Sequence, residues 1–141
     1  MAIPKITPFL WFDNNAAEAA AFYTTVFKNS RIISSNPLVT SFELEGQQLL
    51  AMNGGPKYKL TEAFSLSVSC DTQEEIDYYW NKLTEGGSES MCGWLVDKFG
   101  LSWQIVPGML GQLMNNPETR DRVVKAFMNM RKLDIEALKN A

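Results

Sequence analysis

The chain has 141 residues, 45% of them hydrophobic and 21% charged, with a net charge of −3; this fits one compact soluble unit or two small fused modules. Its Lys and Arg residues are scattered and form no basic stripe, so no nucleic-acid partner is expected. It contains no histidine, which excludes Ser-His and Cys-His nucleophilic sites and removes the commonest metal ligand.

No apolar run reaches the roughly 20 residues of a membrane span. Met1-Ala-Ile-Pro-Lys5 lacks the apolar stretch of a signal peptide, so no membrane contact and a cytoplasmic location are expected. Lys5–Phe12 then reads as a first strand, in which Pro8 suggests an edge or a bulge. Asp13-Asn-Asn15 offers helix-capping oxygens. Ala16–Phe27 has a strong helix pattern, with Ala17, Ala20, Ala21 and Phe27 available for burial. Asn29-Ser30 ends it. Arg31–Ile33 begins a second strand, and Val39–Glu45, Gly46 and Gln47–Met52 read as a hairpin closed by the turn residues Asn53-Gly-Gly-Pro56.

The plan then repeats. Ala63–Cys70 alternates cleanly, with Phe64, Leu66, Val68 and Cys70 on one face and Ser65, Ser67 and Ser69 on the other. Asp71-Thr72 caps a helix over Gln73–Leu83, whose apolar stripe is Ile76, Tyr79, Trp80 and Leu83; Gln73-Glu-Glu75 supplies an acidic first turn. Gly86-Gly87 stops it. Trp94–Val96 and Leu101–Val106, joined by Asp97-Lys-Phe-Gly100, form a hairpin in which Gly100 suits a positive φ. Each half thus reads strand, helix, further strands over about 55 to 60 residues, as an internal repeat would. Beyond Pro107 the pattern turns helical. Met109–Met114 fits one turn or two, Asn116-Pro117 opens an amphipathic helix carrying Val123, Val124, Phe127 and Met130, and Asp134 caps a last short one. The tail's methionines suit adaptable packing.

Along the second hairpin, Leu101, Trp103 and Ile105 form the face that packs on helices, leaving Ser102, Gln104 and Val106 to line a concavity. Gln104 with Ser65, Ser67 and Ser102 then makes either a polar wall in an otherwise apolar ligand site or a set of side chains that satisfy backbone and water in a filled barrel. Trp94 is available to stack a planar ligand, whereas Trp11 and Trp103 share the parity of helix-facing positions. Glu43 is a general base if it points into the cavity, and Tyr58 is a possible phenol. Asp97 lies in a turn, where an Asx role is expected. Cys70 and Cys92 lack metal-binding spacing and read as buried free thiols.

The segments Pro8-Phe-Leu-Trp-Phe-Asp13, Phe22-Tyr23, Gly46-Gln47, Cys92-Gly-Trp-Leu95, Asp97-x-Phe-Gly100, Leu101-Ser-Trp-Gln-Ile-Val-Pro107 and Lys132-Leu-Asp-Ile135 resemble the PhnB-like family. That family carries the domain label 3-demethylubiquinone-9 3-methyltransferase and belongs to the vicinal oxygen chelate superfamily of glyoxalases, bleomycin-resistance proteins and extradiol dioxygenases. The resemblance covers nearly the whole chain. It implies an α+β fold of two βαβββ modules forming curved antiparallel sheets around a cleft, followed by C-terminal helices, usually as a homodimer. Residues 1–141 are then one domain, with modules over about 1–57 and 58–107 and a tail over about 108–141.

Metal-using relatives place ligands on strands of both modules, and those places fall here on Pro8, Leu50 or Ala51, Ser65 and Gln104. A prolyl ring, an aliphatic chain, a hydroxyl and a neutral amide are not donors for a divalent catalytic metal, so neither a metal nor another cofactor is expected. Methyl transfer is not expected either, because Gly54-Gly55 and Gly86-Gly87 do not open a strand-to-helix turn. The expected function is metal-free binding or sequestering of a small molecule through Ser65, Ser67, Ser102, Gln104, Trp94 and Glu43. The alternative is a lyase, isomerase or dioxygenase-type enzyme acting in the same cleft, and catalytic residues stay unassigned.

Overall fold

The computed structural model describes residues 4–141. They form two compact units, one reaching to Leu60 and the other running from Thr61 to Ala141, and each has the order strand, helix, three strands.

The first unit contains β1 (Phe9–Phe12), α1 (Ala16–Val26), β2 (Ser30–Ser35), β3 (Val39–Leu44) and β4 (Gln47–Asn53). Its sheet has the order β1-β4-β3-β2. β1 runs parallel to β4 while the other pairs are antiparallel, so the expected antiparallel sheet is in fact mixed. The reason is topological: a strand that starts the unit and pairs with its last strand needs a long crossover, here α1 with β2 and β3. Pro8 lies just outside this edge strand, where its missing N–H costs nothing, and its carbonyl accepts the Leu50 N–H at 3.0 Å.

Helix α1 buries Ala16, Ala19, Ala20, Tyr23 and Val26, with Phe27 behind them, a stripe at i, i+3, i+4 and i+7. Of the alanines expected inside, Ala20 is buried but Ala17 and Ala21 are exposed. Tyr23 stacks on Phe42 with 6.2 Å between ring centroids, which fixes that face of the sheet as the one under the helix. The expected cap also moves. Asn15 makes no side-chain cap, and Asn53 instead accepts the Ala16 N–H at 2.9 Å and donates to the Pro37 carbonyl at 3.0 Å.

The second unit contains β5 (Ser65–Cys70), α2 (Gln73–Thr84), β6 (Ser88–Glu89), β7 (Trp94–Val96) and β8 (Ser102–Pro107), in the sheet order β5-β8-β7-β6. Again the first strand is parallel to the last, β5 to β8. Helix α2 opens on Thr72, whose hydroxyl accepts the Glu75 N–H at 3.1 Å, while the Glu75 carboxylate accepts the Asp71 N–H at 2.9 Å. Ile76, Trp80 and Leu83 are buried, each worth about 1.5–3 kcal/mol of apolar burial. Beneath them lie Cys70, Leu95, Trp103 and Ile105, all buried.

Asp97 organises the β7–β8 turn, where Gly100 takes φ 92°. The Asp97 carboxylate accepts the Phe99 and Leu101 N–H groups at 2.8 and 3.1 Å and the Trp103 indole N–H at 2.8 Å. The expected structural role of this aspartate is what its contacts describe.

The tail adds α3 (Leu110–Asn115), α4 (Arg120–Phe127) and α5 (Ile135–Lys139). Helix α4 starts later than the Asn116-Pro117 signal suggests, because Asn116 spends its side chain on the Glu118 N–H in a turn that precedes the helix. Asp134 does cap α5, accepting the Ala137 N–H at 3.0 Å. Val123, Leu133 and Leu138 form a buried cluster with Leu110, Leu113, Met114, Phe127 and Met130 around it. Gln73 clips this tail to α2: its amide donates to the Leu133 carbonyl at 3.0 Å and accepts the Ile135 N–H at 2.8 Å. Beside it Lys132 meets Asp77 at 2.8 Å.

Candidate functional site

The second unit's sheet has one face under α2, and the other carries the polar residues. Ser65 lies opposite Ser102, and Ser67 opposite Gln104, across the parallel pair; Trp94 lies opposite Gln104, and Val96 opposite Ser102, across the antiparallel one. Residues paired across a ladder share a face, so Ser65, Ser67, Ser102, Gln104 and Trp94 come together. Gln104 donates from Nε2 to the Ser65 hydroxyl at 3.0 Å. Ser67 is exposed, and Ser65, Trp94 and Gln104 are half-buried. Ser102 is 1% exposed, and its hydroxyl has no hydrogen-bond partner among the described residues.

Val106, two residues beyond Gln104 on the same face, packs against the tail cluster of Val123, Leu133 and Leu138. The tail therefore closes one end of this face, which the sequence pattern did not reveal. Val106 alternates like any strand residue, and its partners lie beyond Pro107 in a stretch whose docking nothing local specifies.

Glu43 belongs to the first unit. It lies opposite Arg31 and Gln48 in the ladder, on the face away from α1, and meets the Arg31 guanidinium at 3.8 Å. Trp11 also lies on that face, in register with Met52 and Val39, which corrects the expectation that it packs under the helix. Leu10 and Phe12 take the helix side instead. Trp11 is half-buried, donates its indole N–H to the Gly55 carbonyl at 2.9 Å and meets Tyr58 edge-on at 5.0 Å. Gly54 lies so close that a Cβ there would stand 2.3 Å from the indole. Trp103, by contrast, is buried on the α2 side as expected.

The register also settles the fourth strand. Leu50 pairs with Phe9 and Ser41 and shares the open face, while Ala51 is buried beside Leu10 on the helix side. Pro8 precedes Phe9 and so has the parity of the helix-side Leu10 and Phe12, which corrects the expectation that it shares the open face with Leu50. Pro8 and Leu50 offer no donor side chain, and Ser65 and Gln104 are bonded to each other. Neither Pro8 and Leu50 in the first unit nor Ser65 and Gln104 in the second offer the donors of a divalent catalytic metal. Among the described residues no three His, Cys, Asp or Glu side chains lie close enough to hold one.

Cys70 offers no nucleophile. Burial first, then the nearby Glu75 and Asp71 carboxylates, push its thiol up to about 12, so it stays protonated near neutrality.

Comparison with known proteins gives a consistent picture. Residues 4–106 match the family described as 3-demethylubiquinone-9 3-methyltransferase. The PhnB protein of Bacillus cereus is 35% identical, with a TM-score of 0.68 over 74% of this chain and 99% of its own. Protein PA1353 of Pseudomonas aeruginosa is 22% identical, with a TM-score of 0.61 over 74% of this chain and 98% of its own. The fosfomycin resistance protein FosX of Listeria monocytogenes is 16% identical, with a TM-score of 0.58 over 86% and 98%; the last two show likeness of fold alone. No curated protein matches the chain.

Proposed function

Because the chain belongs to the family described as 3-demethylubiquinone-9 3-methyltransferase, the PhnB-like group of the vicinal oxygen chelate fold, we propose that it binds or sequesters a small molecule without a catalytic metal. The observation that carries this reading is the Gln104–Ser65 pair, half-buried on the helix-free face of the second sheet. A few polar groups set among apolar side chains, here Trp94, Val96 and Val106, are the usual makeup of a small-molecule site. Methyl transfer is not our reading, since Gly54-Gly55 follows β4 and Gly86-Gly87 follows α2, and neither pair opens a strand-to-helix turn. The lyase, isomerase or dioxygenase alternative finds no titratable side chain among the residues that β5, β7 and β8 direct to this face. Glu43, the general-base candidate, is ion-paired in the other unit's sheet.

The same reading takes the protein as a cytoplasmic homodimer. Unpaired thiols at Cys70 and Cys92 suit a reducing compartment, and no helix among the described residues is long and apolar enough to cross a membrane. Met114 and Met130 are used in the tail's own cluster, so the support for a dimer moves to the apolar side chains left open, among them Ile32, Leu38 and Met128 at 40%, 56% and 58% exposure.

Native mass spectrometry of freshly purified protein tests these points together. A dimer carrying a stoichiometric small molecule and no metal is expected. Gln104→Leu should lose that molecule while keeping the wild-type melting temperature. Stoichiometric Zn²⁺, Ni²⁺ or Fe²⁺ surviving dialysis would overturn the metal-free reading.

A further inference from the structure

A buried hydroxyl with nothing to bond is uncommon, because desolvating it without a partner destabilises the fold. Ser102 is such a group, and it lies two residues from Gln104 on the same face of β8. Its neighbours also have bonding capacity to spare. Gln104 uses Nε2 on Ser65, and its Oε1 has no described partner. The Ser65 hydroxyl accepts that bond and still has a proton to donate.

The charge pattern is as informative. The residues that β5, β7 and β8 present here are Ser65, Ser67, Ser69, Trp94, Val96, Ser102, Gln104 and Val106. None of them is ionisable. An anionic or cationic group placed against neutral dipoles in a half-buried site would lose its hydration without gaining a counter-ion. A neutral group that both donates and accepts would instead satisfy the Ser102 hydroxyl and the Gln104 amide oxygen, with the flat Trp94 side chain beside it.

Building on the binding function proposed above, we infer that the ligand presents to this face an uncharged planar amide or lactam edge, held by Ser102 and Gln104 and backed by Trp94. Ser102 is the anchor: its hydroxyl, unbonded and covered in the free protein, is a polar group kept for a ligand that displaces its cover, at the expense of the free protein's stability.

The test uses three fragments of one shape and different charge: benzamide, benzoate and benzylammonium. Each is titrated into the full-length ¹⁵N-labelled protein, following the amide signals of Ser65, Trp94, Ser102 and Gln104. Benzamide should shift these signals and saturate, with the charged fragments at least about tenfold weaker. Ser102→Ala should weaken benzamide by about fivefold and raise the melting temperature of the free protein by about 3 °C. Benzoate or benzylammonium binding as tightly as benzamide would overturn the ligand class while leaving the binding face in place. Silence from all three fragments up to their solubility would overturn the face itself, and the binding function with it. An unchanged or lowered melting temperature in Ser102→Ala would show the hydroxyl already satisfied and remove it as the anchor.

Discussion

Asp97 accepts the indole N–H of Trp103 at 2.8 Å, with both residues buried, and so joins the turn of the second hairpin to the core beneath α2. The same carboxylate takes two backbone N–H groups of the turn. Asp97→Ala would strand three donors, two of them on the turn's own backbone. A loss of about 3 kcal/mol is expected, read from urea unfolding followed by tryptophan fluorescence. A loss below about 0.5 kcal/mol would mean that the turn holds its shape without the carboxylate.

Gly54 is fixed by the absence of a side chain. Any Cβ there would stand 2.3 Å from the Trp11 indole, and the Trp11 bond to the Gly55 carbonyl depends on that approach. Gly54→Ala should displace the indole, shift its emission and cost about 1–3 kcal/mol, as overpacking does. Emission and unfolding midpoint both matching the wild type would show that the loop can yield.

The tail clip has a pH signature. The bond from Lys132, then that from Gln73, hold the Asp77 carboxyl below its ordinary value of 3.8. A lowered acid gives stability that is present above 3.8 and is lost as pH falls through the folded value. Asp77 is largely exposed, so the effect is small and salt-sensitive. Hydrogen exchange of the tail should distinguish wild type from Lys132→Met at pH 7 in low salt, and the difference should shrink as pH falls through the folded value of Asp77. Gln73→Ala removes both backbone bonds and should speed exchange of the Ile135 amide by about tenfold. An unchanged rate would show that apolar packing alone holds α5.

Cys70 should resist alkylation by iodoacetamide at pH 8 in the native protein and react on unfolding, because its thiol stays protonated up to about 12. Its linkage runs opposite to that of Asp77. Above about pH 9 the unfolded thiol ionises while the buried one does not, so stability declines as pH rises through that range. Peptide mass mapping after a timed pulse checks the first point. Native labelling of Cys70 at the unfolded rate would refute it.

What could be read from sequence followed the contrast between neighbouring residues. Ser65–Cys70 alternates strictly, so the face carrying Ser65, Ser67 and Gln104 was visible, and the register confirms their alignment. In α1 the run Ala16-Ala-Glu-Ala-Ala-Ala21 offers almost no contrast, so its pattern sets the buried stripe one residue out of phase; Tyr23 and Val26 decide it through packing. Remote partners left no local trace. Asn53 caps α1 from 37 residues away, and Gln73 reaches the tail 60 and 62 residues on. Strand β6 is only Ser88–Glu89, too short for any period. The sequence puts Trp11 on the wrong side because parity tells which residues share a face, and only α1's packing on Phe42 tells which face is covered. Nor does a serine's spelling say whether its hydroxyl is bonded, so the unpaired state of Ser102 emerges only in three dimensions.

Cys92 takes φ 63° before Gly93, and the two turn their N–H groups to the Met130 and Arg131 carbonyls at 2.7 and 2.8 Å. This ties the entrance of β7 to residues near the far end of the chain and sets an order of assembly during synthesis. The first unit has every strand of its sheet once Asn53 has emerged from the ribosome, and can close while the rest is still being made. The second has all its strands by Pro107 but must wait for Met130 and Arg131 before those two amides find their acceptors. A nascent chain that has emerged as far as a point between Pro107 and Met130 would therefore display a finished first unit beside a second one still open at the entrance of β7.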